Sequence, residues 1–153
     1  MTIHASARSY SIKEAAALTG LPASTLRYYE QIGVIAPVSR GASSGHRVYD
    51  EGDLDQLMWV ACLAATGMSV SDMRQYMANT RLGVDAAADQ QQLLEEQQLR
   101  LAVEARALAL RQRYVALKIS YWQAVRTGDG TGAEELSVQA RAMADDLRRV
   151  TGA

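Results

Sequence analysis

The chain of 153 residues holds one cysteine, Cys62, and two histidines, His4 and His46. A thiolate can add to an electrophile or, beside a base, attack a carbonyl. Neither histidine is placed to be that base, because His4 lies in the N-terminal tail and His46 in a turn-rich stretch. One thiol also excludes a disulfide framework and a zinc site built from several thiolates, and no glycine-rich phosphate loop is present. No catalytic residue, metal ligand or cofactor is assigned, and an enzyme is not expected. A different chemistry is carried by Ser11, Lys13, Ser24, Thr25, Arg27, Tyr28, Arg40, His46, Arg47 and Tyr49, which crowd cations and hydroxyl donors into the first 49 residues. Short hydroxyls and arginine suit base edges in a major groove. Arginine, lysine and phenol groups hold phosphates.

The formal net charge of −1, from 16 Lys+Arg and 17 Asp+Glu, argues against indiscriminate binding to nucleic acid. The total hides a division. Residues 1–49 carry five basic side chains (Arg8, Lys13, Arg27, Arg40, Arg47) and two acidic ones (Glu14, Glu30), and the remainder carries 11 and 15, so a +3 head precedes a −4 body. Apolar residues make up 48% of the chain but aromatics only 6%, with no Phe, so Ala and Leu must do most of the packing, which favours helices. No stretch approaches the roughly 20 apolar residues of a membrane span, and the N-terminus lacks the apolar core of a signal peptide. A soluble, cytoplasmic protein without a membrane partner is expected.

The elements that must position these groups are legible from their ends. Ser11 and Glu14 form a capping-box pattern that opens a helix ended by Gly20. Pro22 suits the first turn of a second helix over 23–30, stopped near Gly33, and the pair makes a helix-turn-helix. Tyr28 and Tyr29 are neighbours on that helix, so one of them is expected to face the core. Residues 34–37 and 46–49 flank a Ser/Gly-rich stretch and read as a two-stranded wing. Asp50 and Asp53 start a third helix, on which Leu54, Leu57, Met58, Ala61, Cys62 and Ala65 have the spacing of a buried face; Ser69 and Asp72 start a fourth.

From Asp85 to about Thr127 the sequence contains neither Gly nor Pro. Roughly 40 helical residues at ~1.5 Å each make a rod of about 60 Å, too long to fold back on the head. Leu94, Leu101, Ala105, Leu108, Val115, Ile119 and Trp122 form one heptad-like row; Val103, Ala107, Leu110, Tyr114, Leu117 and Tyr121 form another on the opposite side. The first row suits a coiled coil with a second protomer. The second row needs another cover, and a tail helix capped by Thr131 and Glu134, turning back at Gly128-Asp-Gly130 with Leu136, Ala140, Met143, Leu147 and Val150 inward, can supply it. Tyr114, Tyr121, Trp122 and Met143 could line an apolar ligand pocket at that junction or simply cap the coiled-coil end. The fold expected is all-α with a small wing: a winged helix-turn-helix head over residues 1–83, a dimerisation helix over 84–127, and a hinge with a buttressing helix over 128–153. A coiled-coil adaptor fits the rod but leaves the basic head unexplained.

The blocks Tyr10-Ser-Ile-Lys-Glu-Ala-Ala, Thr25-Leu-Arg-Tyr-Tyr-Glu30, Gly45-His-Arg-Val-Tyr-Asp50 and Asp53-Leu54, in this order, closely resemble the mercury-resistance-regulator (MerR) family of transcription factors over residues 10–80. The resemblance implies a homodimer joined by an antiparallel coiled coil, double-stranded promoter DNA as partner, and RNA polymerase acting at a promoter whose DNA the dimer distorts. His46 stands where the family usually has Tyr, so an imidazole replaces a phenol. Metal and iron–sulfur relatives carry cysteine clusters beyond the long helix, and residues 85–153 contain no Cys or His. Multidrug relatives carry a large ligand domain, for which this chain is too short. The run Cys62-Leu-Ala-Ala-Thr-Gly-Met68 is similar to the aldehyde- and electrophile-responsive branch, which makes Cys62 the sensor candidate, although its apolar sequence neighbours suit an inert, buried thiol equally.

Overall fold

A computed structural model describes residues 8–152, so His4 and the rest of residues 1–7 lie outside the described residues. Helix α1 (Ile12–Thr19) opens on the expected capping box. The Glu14 amide donates to Ser11 Oγ at 3.2 Å, and the Ser11 amide donates to Glu14 Oε2 at 2.9 Å. Gly20, at φ +73°, supplies the left-handed residue that ends it. Thr19 fixes the turn into α2 (Ala23–Gln31), its hydroxyl donating to the Ala15 carbonyl and accepting from the Leu21 amide. Pro22 stands at the N-cap of α2, one residue before the first-turn position expected for it.

The wing is shorter than its sequence and begins later. Strands β1 (Ser39–Arg40) and β2 (Arg47–Val48) pair antiparallel, Ser39 opposite Val48 and Arg40 opposite Arg47. Val34 and Ile35, expected in the first strand, are instead wound onto the end of α2, where both amides donate to the Tyr29 carbonyl and both side chains enter the core. β-favouring composition there reflects burial, not a ladder. An isolated bridge between Tyr10 and Tyr49 ties the chain ahead of α1 to the wing.

Helix α3 (Glu51–Ala65) carries a reciprocal Asp50–Asp53 cap, and α4 (Val70–Leu82) is capped by Ser69, which accepts from the Asp72 amide. The head packs around Ala15, Leu26, Tyr29, Val34, Tyr49, Leu57, Val60, Met73 and Met77. The buried stripe of α3 differs in phase from the expected one: Leu57 and Val60 are buried and Leu54, Leu63 and Ala64 pack beside them, leaving Met58, Cys62 and Ala65 exposed. Apolar residues surround this helix, so several stripes have the right spacing and only the partners of the head select one.

A 3-10 turn (Gly83–Ala86) leads into α5 (Ala87–Thr127), 41 residues without a break. Its first turns are fastened to α4 by amides. Gln90 Nε2 donates to the Tyr76 carbonyl at 3.0 Å and to Thr80 Oγ1 at 3.1 Å, while its Oε1 accepts from Asn79 Nδ2 at 3.2 Å; buried Asn79 in turn accepts from Gln75. Compactness divides the chain between Glu95 and Glu96, inside α5.

In the second unit the tail is two helices, α6 (Gly130–Ala142) and α7 (Ala144–Thr151), where one was expected; the chain breaks at Met143. The cap of α6 is Asp129, whose Oδ1 accepts from the Gly132 amide, rather than Thr131, and Glu134 pairs with Arg141. The tail lies along the second row of α5, burying Ala107, Ala133, Ala140 and Met143. Of the residues expected to line an apolar pocket there, Tyr114 borders a cavity with Lys118, Ala140 and Leu147, while Trp122 stands exposed with its ring edge-on to Tyr121. The first row is bare: Leu94, Leu101, Ala105, Leu108, Val115, Ile119 and Trp122 are all exposed in the single chain. No helix among the described residues is long and apolar enough to cross a membrane.

Candidate nucleic-acid interface

Six of the ten side chains singled out for nucleic acid meet at one cleft of about 340 Å³. Ser11 and Lys13 reach it from α1, Arg27 from α2, and Arg40, His46 and Arg47 from the wing. No carboxylate lines it, so its field is cationic. Beyond the cleft, Ser24 and Tyr28 are exposed on α2 and Thr25 is half-buried. Tyr29 is the core member of the tyrosine pair, its ring centroid 6.1 Å from that of Tyr28.

Two residues depart from their expected settings. Arg47 is neither a free clamp nor a solvated charge: its Nε donates to Glu30 Oε2 at 2.8 Å, with the side chains only 20% and 14% exposed. Glu30 closes the Thr25–Glu30 block but is 17 positions from Arg47, and sequence reasoning assigned it no role. Its carboxylate fixes one edge of the guanidinium and leaves the terminal nitrogens for another acceptor. Arg40 is steadied more weakly, through a bond from Nη1 to the Gly45 carbonyl.

Tyr49, expected to donate to a phosphate, is wholly buried, and its hydroxyl has no hydrogen-bond partner among the described residues. It sits inward because β2 leads directly into α3 and its backbone pairs with Tyr10. Burial raises the phenol above its ordinary value of 10.0, against a lowering influence from Arg47. A raised folded value keeps the neutral phenol favoured, so its contribution to stability is present below about pH 10 and is lost as pH rises beyond. Tyr49→Phe removes an unsatisfied buried hydroxyl and is expected to stabilise the head by about 1 kcal/mol in thermal melts. It should also flatten the alkaline loss of stability and leave DNA affinity unchanged. Reduced affinity in a fully folded Tyr49→Phe protein would show that the phenol turns outward to the ligand.

Cys62 is exposed on α3, so the reading of it as a small core residue does not hold within the single chain. Met58 and Trp59, one turn before it, are also exposed. Among the described residues no three His, Cys, Asp or Glu side chains gather as a cation site.

The family described as MerR HTH family regulatory protein matches residues 10–80, the stretch holding the cleft and the core of the head. An HTH-type transcriptional regulator of Haemophilus influenzae is 30% identical over 118 residues, covering 75% of this chain and 84% of that protein. The chain belongs to the MerR family. Another MerR-type relative, AdhR of Bacillus subtilis, is 34% identical over 91 residues, covering 60% of this chain and 64% of AdhR; with YyaN of the same organism the match spans 49% of the relative. Among solved structures, HiNmlR, described as a MerR family regulator lacking the sensor domain and bound to promoter DNA, superposes with a TM-score of 0.66. It shares 26% identity, and the match covers 84% of this chain and 96% of that one. These MerR-family relatives are transcriptional regulators, not enzymes.

Proposed function

We propose that the chain is a homodimeric MerR-type transcriptional regulator of promoter DNA, with α2 entering the major groove and the cleft between α1 and the wing holding the flanking backbone. The observation that carries this reading is the convergence of Lys13, Arg27, Arg40, His46 and Arg47 on one cleft without a carboxylate in its lining. Ser24, Thr25 and Tyr28 on α2 supply the direct contacts, and Ser11 adds a hydroxyl at the cleft edge. The promoter DNA in the HiNmlR structure supports the same class of partner. The bare row of α5 supports an antiparallel coiled coil with a second copy, and distortion of the promoter for RNA polymerase is the mode of action. A gel shift on an inverted-repeat promoter fragment tests it: affinity must fall steeply with salt, and a flat salt response leaves the coiled-coil adaptor.

The signal input in this reading is Cys62, whose exposure beside Trp59 leaves its sulfur accessible in the single chain. Addition to an aldehyde forms a bond from sulfur to the carbonyl carbon, and the carbonyl oxygen takes the pair from its π bond and the proton lost by the thiol, giving a hemithioacetal. In Cys62→Ser, promoter binding should stay at the wild-type level while response to methylglyoxal in a reporter assay is lost. Full response in that variant places sensing elsewhere.

A further inference from the structure

The tail of α7 does not close on α5. Between them lies a cavity of about 450 Å³, a size that holds small organic ligands. Its walls are apolar: Val103, Ala107 and Leu110 along α5, and Val150 on α7. Val103 is 62% exposed, so part of that wall meets solvent. The rim is charged and unbalanced, with Arg106, Arg113 and Arg149 against Asp146. Asp146 is 3.4 Å from Arg149, whereas Arg106 and Arg113 have no hydrogen bond or ion pair among the described residues. Those two lie seven residues apart on one flank of α5, two turns or about 10.5 Å along its axis.

The geometry points to a binding site for an amphipathic organic anion, a carboxylate head on an apolar body, seated between α5 and α7. The body covers Val103, Ala107, Leu110 and Val150. The head meets Arg106 or Arg113, whose forks match a carboxylate and have no ion pair among the described residues. A neutral ligand of the same shape would fill the walls but leave the surplus positive charge unanswered, and a cation would be repelled. One turn further along the same seam the Tyr114 and Lys118 cavity, of about 430 Å³, gives a longer ligand room and another cation. Neither the DNA-facing cleft nor Cys62 takes part, so this site is separate from both.

The test is calorimetric titration of the full-length protein with decanoate and with decanol. Decanoate should bind one per chain, at least tenfold tighter than decanol. Arg106→Gln with Arg113→Gln should weaken decanoate about tenfold and leave decanol unchanged. Ala109→Trp, which fills the cavity from an exposed position, should abolish both with the thermal melt unaltered. Equal affinity for the two probes, no decanoate binding, or indifference to the arginine changes overturns the proposal. So does a change of oligomeric state in Ala109→Trp, which would make a second copy the occupant. Promoter binding by ligand-free Arg106→Gln/Arg113→Gln protein, measured in parallel, reports on the DNA reading independently.

Discussion

Leu108→Glu combined with Ile119→Glu is expected to convert the proposed dimer into monomers and to lower affinity for an inverted-repeat promoter fragment by about 100-fold or more. Both side chains lie in the bare row of α5, 54% and 65% exposed in the single chain. Each buried side chain of this size contributes about 2 kcal/mol to association. Glutamate forfeits that and, in the proposed antiparallel seam, brings four carboxylates together. The head has its own core in another part of the chain, so its melting should be preserved. Sedimentation equilibrium reads the first effect and a gel shift the second. A variant that stays dimeric would place the dimer contact on another face of α5.

Glu30→Ala should be costly in both stability and binding. Arg47, its side chain four-fifths buried, is left without its carboxylate, at about 2 kcal/mol of stability, less than for a fully buried pair because some water reaches it. Freed of that anchor, Arg47 no longer has a fixed edge beneath the cleft, and promoter affinity should fall about tenfold. Glu30→Gln, which keeps an acceptor without the charge, should recover part of it. Arg47→Ala should weaken all DNA sequences alike and reduce the salt slope by about one. Adding Arg47→Ala to Glu30→Ala should then cost little more in stability, and a double-mutant cycle measures the coupling. Strict additivity would mean that the two side chains act independently.

What the sequence disclosed and what it withheld divide along chain distance. Caps at Ser11, Asp50 and Ser69 are settled by partners three residues away, so their helices could be placed from sequence. The Glu30–Arg47 pair bridges 17 positions and becomes visible only when the wing has folded over α2. Tyr49 alternates like a surface residue in a short strand but is taken inward by its pairing with Tyr10. Cys62 shares its apolar spacing with several stripes of α3, and its exposure follows from which stripe the head uses. The tail break at Met143 carries no Gly or Pro to announce it. Family membership was readable because its blocks are contiguous, and the groove between α5 and α7 was not, because its walls are over thirty positions apart.

The amide fastening at Gln90 has an evolutionary corollary. Every bond it makes falls within residues 75–90. Whatever sequence follows Glu95 can be exchanged without disturbing them, provided that it continues the helix. That makes the joint a splice point. One head can be recombined with rods and tails of different length and ligand preference, at the cost of conserving Gln90 and the Asn79 and Thr80 side chains that it bonds.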